Sequence, residues 1–275
     1  MLNLIRIMRK FTYLQQSLNK GHIARWSPNC MPLKIYIAPC KFYSVAHESH
    51  KYHEMVLRAL REWERVSDGI VKFRVVNNLY DSQVNLSWRR VNRESLGHCT
   101  WNHDDSYRYY SAEVEIGISD GYVCQKYMHE DEVYHTIVHE IGHAIGLGHS
   151  PFPSDIMYVP HKYGVTKIGQ GDIATLLWLY RLPHGATPKE IAAKYSLAMD
   201  DLDEVILKIA QKQVHSQFED VKNSISIPQK DLLQEQANIA DLKKYMFSLQ
   251  NIQVSKDVQA YIKNEQMKKN KKSEE

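Results

Sequence analysis

The chain has 275 residues, 43% hydrophobic and 24% charged, and its 35 Lys and Arg against 32 Asp and Glu leave a formal charge of +3. That balance belongs to a globular protein; with no arginine-rich stripe or nucleic-acid motif, nucleic acid is not an expected partner. No apolar run is long enough to span a bilayer, and the length suits one medium domain with an appendage.

Residues 1–24 read as an N-terminal leader. Leu2, Leu4, Ile5, Ile7 and Met8 are interrupted by Arg6, Arg9 and Lys10, so the uninterrupted apolar core of a signal peptide is missing. A short amphipathic helix and a packed or frayed leader both remain open. Residues 33–38 alternate polar and apolar, which predicts a strand, and Met55, Val56, Ala59, Leu60 and Trp63 recur at helical spacing within 50–66. Strands are expected over 70–76, 83–88, 96–101 and 112–118, and a helix over 131–144.

Within that last helix the residues that carry chemistry begin. Residues 139–149 read His139-Glu140-Ile141-Gly142-His143-Ala144-Ile145-Gly146-Leu147-Gly148-His149, the pattern H-E-x-x-H-x-x-G-x-x-H. Residues four apart share a helix face, so His139 and His143 present their imidazoles to one point, at a separation a Zn²⁺ ion suits. Glu140 is turned about 100° round the helix. It flanks the metal rather than ligating it, the place for a base that takes a proton from a zinc-activated water. Gly146 can adopt positive φ and end the helix, letting His149 return as a third ligand. Three protein ligands leave a fourth position open, as a catalytic site requires. His135 lies one turn before His139 and reads as a solvated or supporting residue, the ligand set being full.

On these residues the chain resembles the metzincins and, within them, the matrixin family of zinc endopeptidases. Ser154-Asp155-Ile156-Met157-Tyr158 is similar to the Met-turn, Met157 standing eight residues past His149, and the resemblance implies that Met157 forms an apolar floor beneath the metal. Ser150, directly after the third His, looks like the matrixin branch. Branches with a tyrosine ligand place it where Val159 stands, so Tyr158 is not expected to ligate. Arg25-Trp26 with the strand from Pro32, Ala59–Trp63, Val71–Phe73 and Gly171–Tyr180 extend the likeness over about 25–182. The fold implied is α+β: a twisted mixed sheet, an active-site helix and a C-terminal helix. Residues 96–101 would be its edge strand above the cleft, able to hold an extended peptide through its backbone. Residues 158–163 would wall the pocket for the side chain beyond the cleaved bond.

The expected function is therefore a zinc-dependent metalloendopeptidase with one catalytic Zn²⁺, acting on a protein or peptide. No Cys-bearing propeptide is found. A structural Zn²⁺ or Ca²⁺ is not placed: His98 and His103 lie near the expected region without a full ligand set. The family's usual location outside the cytoplasm is implied by resemblance alone. Residues 183–275 form an expected helical extension. They hold no Arg or Trp, with 14 Lys against 14 Asp and Glu. Thr187-Pro188-Lys189-Glu190 is a capping box opening helices near 188–196, 200–222, 228–250 and 255–268. The apolar face of Leu202, Val205, Ile206, Ile209 and Val214 either packs on the catalytic domain or on the appendage itself, or makes a coiled-coil or partner-binding module. If the tail is the working part, the chain is a zinc-binding, non-proteolytic partner-binding protein; a zinc hydrolase of non-peptide amides is a third reading. Cys30, Cys40, Cys99 and Cys124 permit two disulfides or free thiols.

Overall fold

The computed structural model describes residues 12–42, 46–91, 96–119, 128–161 and 164–212, and of 46–49 only the helical backbone. All of these lie within one unit, Met1–His215. The expected helices over 228–250 and 255–268, Val214, Cys124 and residues 1–11 lie outside the described residues.

The described chain opens with a single 3₁₀ turn, Leu14–Ser17, followed by a small hairpin of β1 (Leu18–Asn19) and β2 (His22–Ile23). Lys20 and Gly21 turn it with φ of 48° and 82°, the pair of positive φ values that suits the twist of a two-residue hairpin. Then come β3 (Arg25–Trp26), β4 (Leu33–Ile37), α1 (Ala46–Val66), β5 (Phe73–Val76), β6 (Val84–Arg90), β7 (Gly97–His103) and β8 (Arg108–Ile118). The last helices are α2 (Glu130–Ala144), α3 (Gln170–Arg181) and α4 (Pro188–Lys194); residues 202–212 are helical too.

The sheet order is β3-β8-β6-β4-β5, with β7 added on β8. Every pairing in it is parallel except β7 with β8. The pattern follows from the connections. A parallel neighbour needs a long crossover, and α1 supplies it between β4 and β5. The β7–β8 link is a four-residue turn, and Asp104 ties it: its carboxylate accepts from Ser106 N at 2.9 Å and Arg108 N at 3.0 Å. Among the described residues β7 pairs with β8 alone, so its other edge is open.

Burial explains why these segments take their places. On β4, Leu33, Ile35 and Ile37 point to the core while Lys34 and Tyr36 do not, the two-residue alternation of a strand. On α1 the inner stripe is Tyr52, Val56, Ala59, Leu60 and Trp63, the helical spacing read above. Trp63 Nε1 donates to Val138 O at 3.0 Å and Trp26 Nε1 to Ala144 O at 2.8 Å, so the two indoles anchor α2 as well as filling space. α2 is buried on nearly all sides, from Val133 to Gly142.

The expected strands over 33–38, 83–88 and 96–101 shift at their ends by one or two residues, and two others change length by more. β5 begins at Phe73 rather than 70, because Asp68 and Gly69, with φ of 53° and 72°, turn the chain after α1. β8 begins at Arg108 rather than 112, because its first residues pair with β3 and the end of β7; that pairing partner is remote in sequence.

The segment read as a leader is, from residue 12 on, built into the body. Tyr13, Leu14 and Ile23 are buried in the same cluster as Ile191, Leu202, Val205, Ile206 and Ile209. Leu14 N and Gln15 N both donate to the Asp203 carboxylate, at 2.7 and 3.1 Å, and Leu202 N to Gln15 Oε1 at 3.0 Å. Ile23 N bonds Ala186 O and Gly185 N bonds Ile23 O. The N-terminal arm and residues 185–210 thus hold each other. The apolar face of 202–212 turns into this body. The capping box at Thr187 forms, with Glu190 N donating to Thr187 Oγ1 at 3.3 Å.

Candidate metal centre

α2 brings His139 and His143 to one face one turn apart, and the chain after it brings His149 to them. Gly146 carries φ of +106°, a conformation that L side chains avoid, and it ends the helix where the sequence predicts. The loop beyond is pressed against the N-terminal arm. Gly148 N donates to Ser17 Oγ at 2.9 Å, and a Cβ at Gly148 would collide with the backbone of Gln16. The arm therefore helps to set the third histidine, a role the sequence does not advertise.

The three rings meet at their Nε2 atoms. His143 Nε2 is 3.1 Å from His139 Nε2 and 3.2 Å from His149 Nε2. A tetrahedral ion about 2.0–2.1 Å from each nitrogen needs neighbouring nitrogens roughly 3.3 Å apart, so the donor set fits zinc. Tautomers agree with this. His139 Nδ1 faces Ile156 O and His143 Nδ1 faces Leu147 O, both at 2.8 Å. A carbonyl only accepts, so each Nδ1 carries the proton and each Nε2 offers its lone pair. Burial, together with the neighbouring His143, pushes His139 down to about 2. Burial likewise lowers His143 to about 4 and lowers His149. Neutral imidazoles are what a metal binds.

Glu140 lies beside this trio, buried, with Oε2 lacking a hydrogen-bond partner among the described residues. Burial raises its carboxyl to about 8, against the opposing pull of Arg89. Space for it is made by Gly97 of β7: a Cβ there would run into the Glu140 carboxyl. Gly142 does the same for Met157, whose sulfur would meet a Cβ at that position. Met157 is fully buried, with its sulfur against Gly142 of α2.

The turn carrying Met157 is tied from behind by two carboxylates. Asp172, at the start of α3, accepts from Ile156 N at 2.8 Å, Met157 N at 3.4 Å, Gly169 N at 2.7 Å and Tyr13 OH at 2.7 Å. Asp155 accepts from Ser150 Oγ at 2.7 Å and Gly171 N at 3.2 Å, and Ser150 N bonds Met157 O at 2.9 Å. Burial, and then Asp155, lift Asp172 to about 6.

Leu96, Gly97, His98, Cys99 and Trp101 form one wall of a cleft of about 620 Å³, Val159, Pro160 and His161 line it as well, and His139, Glu140, His143 and His149 complete it. A family model described as Matrixin matches residues 26–181. The chain belongs to the matrixin family. Its fold is the α+β metzincin fold read from the sequence. A stretch of 69 residues, 24% of this chain, is 38% identical to a probable matrix metalloproteinase, 095L, of Invertebrate iridescent virus 3. That stretch spans 17% of the viral protein.

One of the two readings of His135 falls. His135 is not solvated: it is 4% exposed, and its Nδ1 lies 2.6 Å from Val165 O. The neighbours that bury it come from the loop after Met157. His161, which sequence reasoning placed only in the pocket wall, sits with its ring 4.3 Å from that of His135 and 4.7 Å from that of His139. The i, i+4 spacing of His135 and His139 was the available signal; nothing local marked His161. His98 is exposed on the cleft wall, and His103 is half-buried and stacked on Tyr107 at 4.9 Å. Cys30 and Cys99 stand as thiols, and Cys99 lines the cleft.

Proposed function

We propose that this matrixin is a zinc-dependent endopeptidase, with His139, His143 and His149 as metal ligands and Glu140 as general base. The observation that carries the reading is the convergence of three Nε2 lone pairs at 3.1–3.2 Å beside a buried carboxyl. Zinc, when bound there, supplies Lewis acidity toward water and toward the peptide carbonyl. The chain's own residues do the rest. The open edge of β7 aligns an extended substrate through backbone hydrogen bonds. Glu140 takes the proton of the attacking water and delivers it to the leaving amine, its low-dielectric pocket favouring a proton in transit. Met157, packed beneath, keeps the helix and the His149 loop in register. Val159 to His161 wall the slot for the side chain beyond the cut.

The working unit on this reading extends past 25–182 to take in the arm from residue 12 and the helices to 212, because the arm holds the His149 loop and the Met157 turn and the helices hold the arm. A partner-binding, non-proteolytic tail has no observation in its favour among the described residues. No described helix is long and apolar enough to cross a membrane.

The test is cleavage of a mixed peptide library by the full chain with one equivalent of zinc, beside Glu140→Ala and a chelated control. Cuts made only by the zinc-loaded wild type are expected. Equal cutting by Glu140→Ala removes the assigned base, and zinc bound without any cutting overturns the peptidase reading.

A further inference from the structure

His135, His139 and His161 each offer a nitrogen, and these nitrogens all lie within 4.8 Å of one another. This second trio shares one member with the first. Of its own two members, His135 carries the marks of a ligand. His135 is 96% buried by its 4% exposure, and its Nδ1 faces the Val165 carbonyl at 2.6 Å. Nδ1 is therefore the protonated nitrogen, and Nε2 is left with a lone pair. That Nε2 is buried and has no hydrogen-bond partner among the described residues. The same Nδ1-to-carbonyl arrangement sets the tautomer of His139 and His143, and it is how metal-binding histidines are commonly held. A buried imidazole lone pair without a donor is unfavourable; a metal ion satisfies it.

His139 has one free nitrogen, its Nε2, since Nδ1 is engaged with Ile156 O. It can serve one ion at a time. We propose that His135 and His161 form an auxiliary position for a second divalent transition ion such as Zn²⁺, next to the position of His139, His143 and His149. With two protein nitrogens instead of three, the auxiliary ion is held more weakly and keeps open coordination positions. His161 lines the cleft, so an ion on it stands where the substrate side chain enters. Excess zinc therefore inhibits. The inhibition, though not the binding, rests on the peptidase reading above.

The experiment is metal titration of the full chain, stripped by chelator and dialysed, with Co²⁺ followed by its visible absorption and Zn²⁺ by equilibrium dialysis with elemental analysis. Wild type is expected to bind two equivalents, the second at least tenfold weaker. His161→Ala and His135→Leu are each expected to bind one. His161 is only half-buried, so its variant keeps the test alive if His135→Leu does not fold. Peptide cleavage by wild type is expected to fall with a midpoint at the second dissociation constant, and His161→Ala to lose that fall relative to its own starting rate. A single equivalent in wild type, or a second equivalent that survives in His161→Ala, overturns the proposal. Two equivalents with no cleavage by any form leave the auxiliary site standing and defeat the peptidase reading instead.

Discussion

The floor of the cleft and the turn behind it each bury a carboxylate, and the two are treated in opposite ways. Asp172 receives four hydrogen bonds, from Tyr13, Ile156, Met157 and Gly169. Glu140 has an oxygen with no partner among the described residues. Burial raises both, Glu140 to about 8 and Asp172 to about 6. The difference suits a structural role for Asp172 and the base role proposed for Glu140. A carboxylate met by converging donors is a structural tie, because removing it strands buried N–H and O–H groups. A buried carboxylate with an oxygen left unmet keeps proton affinity available for chemistry.

The contrast breaks most visibly at Glu140. Glu140→Ala is expected to lower turnover by roughly 10²–10⁴-fold, the usual contribution of a general base, with zinc stoichiometry unchanged and the melting temperature no lower than wild type. A large loss of stability would make Glu140 a tie like Asp172.

Asp172→Ala should show the reverse. Stranding its donors is expected to cost about 3 kcal/mol or more, read by urea denaturation of zinc-free protein. Stability that survives the change would show the Met157 turn to be held without it.

A pH series sharpens the same point. Asp172 binds its proton more tightly folded than unfolded, so the stability linked to it is full below the ordinary carboxylate range. It is lost as pH rises through about 6. The gap between wild type and Asp172→Asn, both zinc-free, is expected to change across that window; a gap constant from pH 4 to 7 refutes the linkage.

Gly97→Ala tests the space given to Glu140 from the opposite wall. Its Cβ displaces the carboxyl, and turnover is expected to fall by about ten- to a hundredfold with little change in stability. Least of all, Thr187→Ala removes the cap of α4 and is expected to cost about 1 kcal/mol while leaving turnover per folded molecule as it was.

Much of the site was legible because its logic is local. Helical period alone places His139 beneath His143 and turns Glu140 aside, and Gly146 marks where the helix must stop. The strands were legible where they alternate, as at Leu33, Ile35 and Ile37, and less so at Arg108, whose pairing partners lie in other parts of the chain. The resemblance carried Met157. Of the two readings of His135, the solvated one fails and the supporting one stays open, because spacing along one helix says nothing of the loop that folds over it.

What the sequence by itself determined about this protein is the set of groups whose relation is settled within a turn or two of helix: His139, His143, the glutamate beside them and the glycine that lets the chain return. Backbone geometry repeats identically wherever that pattern occurs, so spacing is enough. Only the tertiary structure decided which carboxylate is tied and which is left unmet, that the N-terminal arm braces the His149 loop, and that His161 comes to lie on His135. Those contacts join residues far apart in the chain, and burial and hydrogen-bond satisfaction are properties of the packed whole rather than of any window along it.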